Sequence, residues 1–210
     1  MGKILRVNLS TRSITTEPLK SEIARKFVGG RGLSAKILFD ELKPGVDPLG
    51  PENKLVVAAG PMGAIPFSGN SRFSVCAKSP LGLGWGESYS GGYMAPKIKQ
   101  SGFDVFIIEG VSKTPVWLYA NEAGAELRDA SKYWGKTTQE TENGIKKELG
   151  HRQAPDKRRK HRPRGRKDGS VRSHHERLAR SRGALRDGRR YGLKKTEGVG
   201  VQRVVEGASS

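Results

Sequence analysis

Apolar and polar residues alternate over residues 3–9 (KILRVNL), break at the 10–13 turn and resume over 14–17. That period of two, interrupted by turn formers, predicts an N-terminal β-hairpin. Beyond it the period lengthens. Ser21 stands where it would cap a short helix, SEIARKF, stopped by Gly29 and Gly30. Leu33, Ile37, Leu38 and Leu42 share one face of a second helix that ends before Pro44 and Gly45. Both helices read as scaffold. After the connector PGVDPLGPEN, residues 54–59 form a continuous apolar run closed by Gly60 and Pro61, which is the pattern of a buried strand. Residues 72–77 (RFSVCA) alternate large and small side chains like a strand, and residues 91–101 open a helix. Residues 104–109, 115–120 and 125–128 read as further strands separated by Gly110 and a turn at 121–124. Thr137 or Thr138 is placed to cap a last helix over QETENGIKKEL, with Gly150 beyond its end. Residues 1–150 are thus predicted to form one β-rich α+β domain with a few short helices.

Charge divides the chain at the same point. The formal net charge is +18, but residues 151–210 carry 19 Lys and Arg against 6 Asp and Glu, a net of +13, leaving +5 for residues 1–150. Of 14 Phe, Trp and Tyr residues, only Tyr191 lies after residue 150. A core can therefore be built only from the first part, and a disordered basic tail is expected over 151–210. The tail suggests an alternative function, nonspecific and salt-dependent binding of nucleic acid. Against it, the tail lacks stacking aromatics other than Tyr191 and shows no zinc, homeodomain or RNA-binding signature. Cys76 is the sole cysteine, so no internal disulfide and no cysteine-rich metal site can form within the chain, and its strand setting reads as a small buried residue. No leader pattern and no apolar run of membrane-spanning length occurs, which sets the expectation of a soluble, cytoplasmic protein without a membrane partner.

Candidate chemistry concentrates in residues 66–104, PFSGNSRFSVCAKSPLGLGWGESYSGGYMAPKIKQSGFD. Glycine this dense lets backbone N–H groups approach a ligand and turn through positive φ, and a strand, a glycine loop and a helix start make an anion site. Arg72 and the cluster Glu87, Ser88, Tyr89, Ser90 lie within it. The spacing fits no standard fingerprint: Gly82, Gly84 and Gly86 read G-x-G-x-G, not G-x-G-x-x-G, and no P-loop occurs. Two readings stay open on these residues, a phosphate cradle or tight turns in a β-rich domain. Glu87 reads as a solvated loop carboxylate, and no general base can be named.

The strings KILRVNLSTRSI, GGRGLSAKILFDEL, DPLGPENKLVVAAGPMGAIPFSGNSRFSVCAKSPLG, SGGYMAPKIKQSGFDVFIIEG and ASKYWGKTTQETENGIKKELG resemble, in order, the N-terminal domain of the tungsten-containing aldehyde ferredoxin oxidoreductase family. The resemblance covers residues 1–150. It implies a domain on which a bis-pterin tungsten cofactor lies, or molybdenum in its place, beside a four-iron cluster that passes electrons from aldehyde oxidation to ferredoxin. The metal then takes its sulfur ligands from the pterins. The resemblance matches Arg72 to the family's cofactor-contacting arginine and Gly91 to a cofactor-contacting glycine. Tyr89 falls where other members carry asparagine, a position that serves the cofactor through its main-chain carbonyl or its side chain. Lys78 and Ser79, in a matching KSP motif, are assigned to loop structure. A free-standing pterin- or nucleotide-binding module is a third possibility.

The family pattern stops where the basic tail begins. Yet residues 161–172 (HRPRGRKDGSVR) admit codons that, shifted by one nucleotide, read IGPAGERMVRF, the family's next motif. Residues 173–177 and 189–198 similarly admit AIMND and AVMGSKKLKA. The expectation is a frameshift near Gly150, with the cluster-binding and remaining cofactor-binding parts missing and the chain alone inactive.

Overall fold

Alternation in the first residues becomes β1 (Lys3–Asn8), paired antiparallel with β2 (Ser13–Pro18) in the expected hairpin. Its turn is held by the Asn8 side chain, whose Oδ1 accepts from the backbone N–H groups of Ser10 and Thr11 at 3.0 and 3.1 Å. The structure, a computed structural model, describes residues 2–65 and 69–150, together with the backbone of two short strands, β9 (Gly192–Lys195) and β10 (Val199–Gln202), that pair antiparallel. The remainder of the expected tail lies outside the described residues. The other elements are α1 (Ser21–Phe27), α2 (Gly30–Glu41), β3 (Leu55–Ala59), β4 (Phe73–Lys78), β5 (Trp85–Ser90), α3 (Met94–Gln100), β6 (Val105–Glu109), β7 (Val116–Asn121), β8 (Gly124–Asp129), a single 3₁₀ turn (Ser131–Tyr133) and α4 (Thr138–Glu148). The α+β class follows the sequence reading, as do the element types other than β5, the 3₁₀ turn, β9 and β10, which it did not predict.

Six strands form one mixed sheet in the order β2-β1-β6-β3-β4-β5, with β1 and β6 parallel and every other pair antiparallel. Because β3 and β6 are central, both of their faces are covered, which is why their sequences are unbroken apolar runs. Val57, Phe106 and Ile108 point into one layer with Met94, Ala95 and Ile98 of α3 and with Val116 and Leu118 of β7. Val56, Val105 and Ile107 point the other way, against Leu33, Ile37 and Leu38 of α2, as the spacing of those three residues predicts. Each fully buried side chain of this size contributes about 1.5–3 kcal/mol. Cys76 belongs to the α2 layer at 1% exposure, a small buried residue as expected. Burial pushes its thiol up to about 11.

Two ends differ from expectation. Ser21 does not cap α1; the N-cap is Lys20, with no side-chain hydrogen bond. The residue that ends α1 at positive φ is Val28, at φ 64° and ψ −60°, ahead of the glycines assigned as the stop. At α4 the prediction holds in detail, with Thr137 as N-cap in a capping box with Glu140. Among the described residues no helix is long and apolar enough to cross a membrane.

Candidate functional site

Three chain segments meet at one end of the β3–β4–β5 unit. The β3–β4 ladder runs from Val56↔Cys76 to Ala59↔Phe73 and extends one step further, where the Gly60 N–H donates to the Arg72 carbonyl at 3.1 Å. On the other side Phe73 pairs with Ser90, so one more step sets Gly91 beside Arg72. A Cβ on Gly91 would stand 3.4 Å from the Ser71 carbonyl oxygen, and the Ser71 hydroxyl donates to the Gly92 carbonyl. The start of α2 closes on the same end. A Cβ on Gly29 would lie 3.0 Å from Pro61 Cδ and 3.4 Å from the Ala59 carbonyl oxygen, so only glycine lets the chain press this closely on the end of β3.

Side chains on this rim follow from strand alternation. Ser74 and Cys76 face α2, the Ser74 hydroxyl lying 3.5 Å from that of Ser34. By alternation Arg72 belongs to the same side, and so do Tyr89 and Glu87, the partners of Ser74 and Cys76 on β5. Arg72 is exposed, and among the described residues its guanidinium has no hydrogen bond or ion pair. Tyr89 is 42% exposed and donates its hydroxyl to Glu87 Oε2 at 3.3 Å. Burial and then the Glu87 carboxylate raise its phenol above the usual value. Gly91 is exposed. The three residues singled out from the sequence therefore gather at one rim, on adjacent strand ends.

The stretch 66–104 nevertheless divides. Glu87, Ser88, Tyr89 and Ser90 are not a loop but most of the edge strand β5. Gly82 and Gly84 lie in the β4–β5 hairpin turn, where the Ser79 N–H donates to the Gly84 carbonyl at 2.8 Å and the Ser79 hydroxyl accepts from Leu81 and Gly82. This is the opposite end of a six-residue strand from Arg72, roughly 20 Å away at the usual rise per residue. There the glycines make a tight turn, one of the two readings left open. Ser79 is structural, and Lys78 likewise, its Nζ donating to the Val46 carbonyl at 2.5 Å. Glu87 is no solvated loop carboxylate: Oε2 accepts from Trp85 Nε1 at 2.8 Å and from Tyr89, and pairs with Arg31 Nε at 2.9 Å. Sequence reasoning began the second helix at Leu33, after the glycine stop, and gave Arg31 no role. Its signal was a cation set between glycines, GGRG, at a helix start.

Fold and rim define an α+β domain with an open, glycine-lined, cationic edge suited to an anionic ligand. The chain belongs to the aldehyde ferredoxin oxidoreductase family, matching its N-terminal domain over residues 4–158. It is 44% identical over 149 residues to the tungsten-containing aldehyde ferredoxin oxidoreductase of Pyrococcus furiosus, covering 71% of this chain and 25% of that protein. It is 43% identical over 149 residues to the protein of the same name from Thermococcus kodakarensis, with the same coverage. Among solved structures, the active-site complex BamBC of benzoyl coenzyme A reductase, bound to 1,5-dienoyl-CoA, superposes with a TM-score of 0.69 at 40% identity, covering 71% of this chain and 23% of that one. The chain spans about a quarter of the length of the curated relatives it matches. The resemblance read from the sequence is thereby borne out at family level, while neither the family nor these relatives lend support to nucleic-acid binding.

Proposed function

We propose that residues 1–150 are the seat of a bis-pterin tungsten cofactor, or its molybdenum counterpart, in an enzyme that oxidises aldehydes to carboxylic acids. The observation that carries this reading is Arg72, a permanent cation without a partner among the described residues, standing beside Gly91 on a domain of this family. The residues present fit such a group. A planar guanidinium suits a phosphate or a pterin edge, and a residue without a side chain at 91 keeps the neighbouring surface open to a flat ring. Among the described residues no group of three or more His, Cys, Asp or Glu side chains is arranged to hold a metal ion. The donor set is thus one for the organic part of the cofactor, whose own sulfurs hold the metal.

When bound, the cofactor would supply the redox-active metal at which an aldehyde and water become a carboxylic acid with release of two electrons and two protons. The role of this chain is to bind and orient it. Arg72 neutralises and fixes an anionic group, and Gly91 gives close backbone approach. Tyr89 has its hydroxyl engaged by Glu87, which leaves its main chain, on the edge strand, as the means of contact. A four-iron cluster, held by other parts of the enzyme, would supply the route for the electrons to ferredoxin, in the cytoplasm. Residues 151–210 form a separate segment translated out of frame. Reading the gene one nucleotide out of register beyond the Gly150 codon should return IGPAGERMVRF and then AVMGSKKLKA, and a gene lacking them rejects that part.

The seat is tested by exchanging residues 3–150 for the corresponding stretch of the Pyrococcus furiosus tungsten enzyme. The chimera should retain tungsten and oxidise aldehyde, and Arg72→Ala within it should release the metal. A folded chimera without tungsten, beside a loaded parent, would refute the proposal.

A further inference from the structure

Arg31 is an electrostatic misfit in its own helix. It occupies the first turn of α2, where aligned peptide dipoles already place partial positive charge, and that turn has neither an acidic residue nor a side-chain cap. A local rule broken at one residue, and compensated from elsewhere, marks a position kept for function. The compensation comes from β5. Glu87 forms an ion pair with Arg31, nearest at Nε, 2.9 Å from Oε2, and the Arg31 side chain is still 63% exposed. With its side chain this exposed, the five-donor guanidinium keeps capacity for a second partner beyond Glu87. Glu87 itself is only 23% exposed and is fixed by two further donors, Trp85 Nε1 and the Tyr89 hydroxyl. One carboxylate thus contacts an arginine from α2 and two aromatic side chains from β5, on the side of the sheet to which Arg72 belongs.

We infer that Glu87 is a positioning residue of the seat, holding Arg31 so that its exposed guanidinium forms a second cationic contact, on the same side of the sheet as Arg72, for the phosphate of a pterin ligand. The inference rests on the cofactor-seat reading above. It makes Glu87 a residue that never touches the ligand yet sets its affinity. Electrostatics alone predicts the opposite sign, because a carboxylate close to an anion repels it and its removal should tighten binding. The two accounts therefore differ in direction as well as in size.

The test titrates the full 210-residue chain with neopterin monophosphate at millimolar concentration, followed by pterin fluorescence, with unphosphorylated neopterin and inorganic phosphate as separate arms. Glu87→Ala should weaken the monophosphate on the order of ten-fold, the worth of one charge-assisted contact, and leave neopterin nearly unaffected. The shape-preserving Glu87→Gln should fall between, with an unfolding midpoint close to wild type. In the nitrogen-15 spectrum the Arg31 Nε–H resonance should be resolved in wild type and in Arg72→Ala, and should merge with the other arginines in Glu87→Ala. Tighter or unchanged monophosphate binding in both Glu87 variants overturns the inference. An Arg72→Ala chain that binds as wild type does overturns the seat reading instead, and a wild-type chain that binds no monophosphate overturns both.

Discussion

Gly91 and Gly92 are adjacent, yet the structure assigns them different reasons for being glycine. Gly92 adopts φ 93°, a left-handed conformation, whereas Gly91 does not. A methyl at 91 would meet the Ser71 carbonyl oxygen at 3.4 Å, an ordinary contact, while a methyl at 92 meets nothing within 4 Å. Space therefore permits both substitutions, and backbone conformation penalises only one. Gly91→Ala should be neutral or stabilising by about 0.4–1 kcal/mol, through the lower entropy of the unfolded chain. Gly92→Ala should cost about 1–2 kcal/mol, the usual penalty for forcing an L-residue into this region. The gap of about 2 kcal/mol corresponds to about 4–8 °C in the melting temperature of a domain this size. Urea unfolding followed by tryptophan fluorescence would measure it, with an unchanged slope confirming that stability alone has moved. Pterin binding should rank the variants the other way. On the proposed seat the new methyl at 91 would fill the surface offered to the ligand, so neopterin monophosphate should bind Gly91→Ala more weakly than wild type. If Gly91→Ala unfolds as early as Gly92→Ala, or binds as well as wild type, Gly91 is kept for the fold and the rim is not the seat.

Thr137→Ala removes the oxygen that accepts the Glu140 N–H at 3.3 Å at the start of α4 and should lower stability by about 1 kcal/mol, read in the same urea experiment. Cys76 supplies a pH dependence: its thiol stands near 9 when unfolded and is pushed up to about 11 by burial. Its contribution is fully present below pH 9 and is lost as pH rises toward 11, because only the unfolded chain ionises in that window. The wild-type curve of stability against pH should therefore fall more steeply than that of Cys76→Ala between those values, and parallel curves would contradict the burial. The chain purified anaerobically from tungstate-grown cells should carry far less than one tungsten per molecule and should not oxidise aldehydes. Near-stoichiometric metal would show that this seat holds the cofactor unaided.

The fold was legible wherever one local pattern dominates. The apolar runs of β3 and β6, the face of α2 defined by Leu33, Ile37 and Leu38, and the capping box of α4 each follow from residues close in sequence. What stayed hidden depends on pairing. That β1 and β6 lie side by side and parallel is a contact across about a hundred residues that no period announces. Helix ends were read less well than helix bodies. Ser21 has the chemistry of a cap but sits one residue inside α1, and Val28 takes the positive φ that its branched side chain disfavours.

For the site the difficulty has a different origin. Glycine density drew Gly82, Gly84, Arg72 and Gly91 into one cradle, but a hairpin sends its turn and its open end in opposite directions, so neighbours in sequence part along the strands while Arg72 and Gly91 meet across them. The same hairpin explains why Arg31 was missed. On its own helix an arginine in the first turn is a mild electrostatic fault, and only the register of β5, which brings Glu87 opposite Cys76 under α2, turns the fault into an anchored pair. A cation that weakens its own helix, a carboxylate that repels the proposed ligand and an edge strand with two exposed aromatic rings are each unfavourable taken singly. An anionic ligand, as the proposed seat requires, would make them mutually consistent, and for that reason Glu87 is the residue on which the second cationic contact can be made to fail, as Arg72 is for the seat itself.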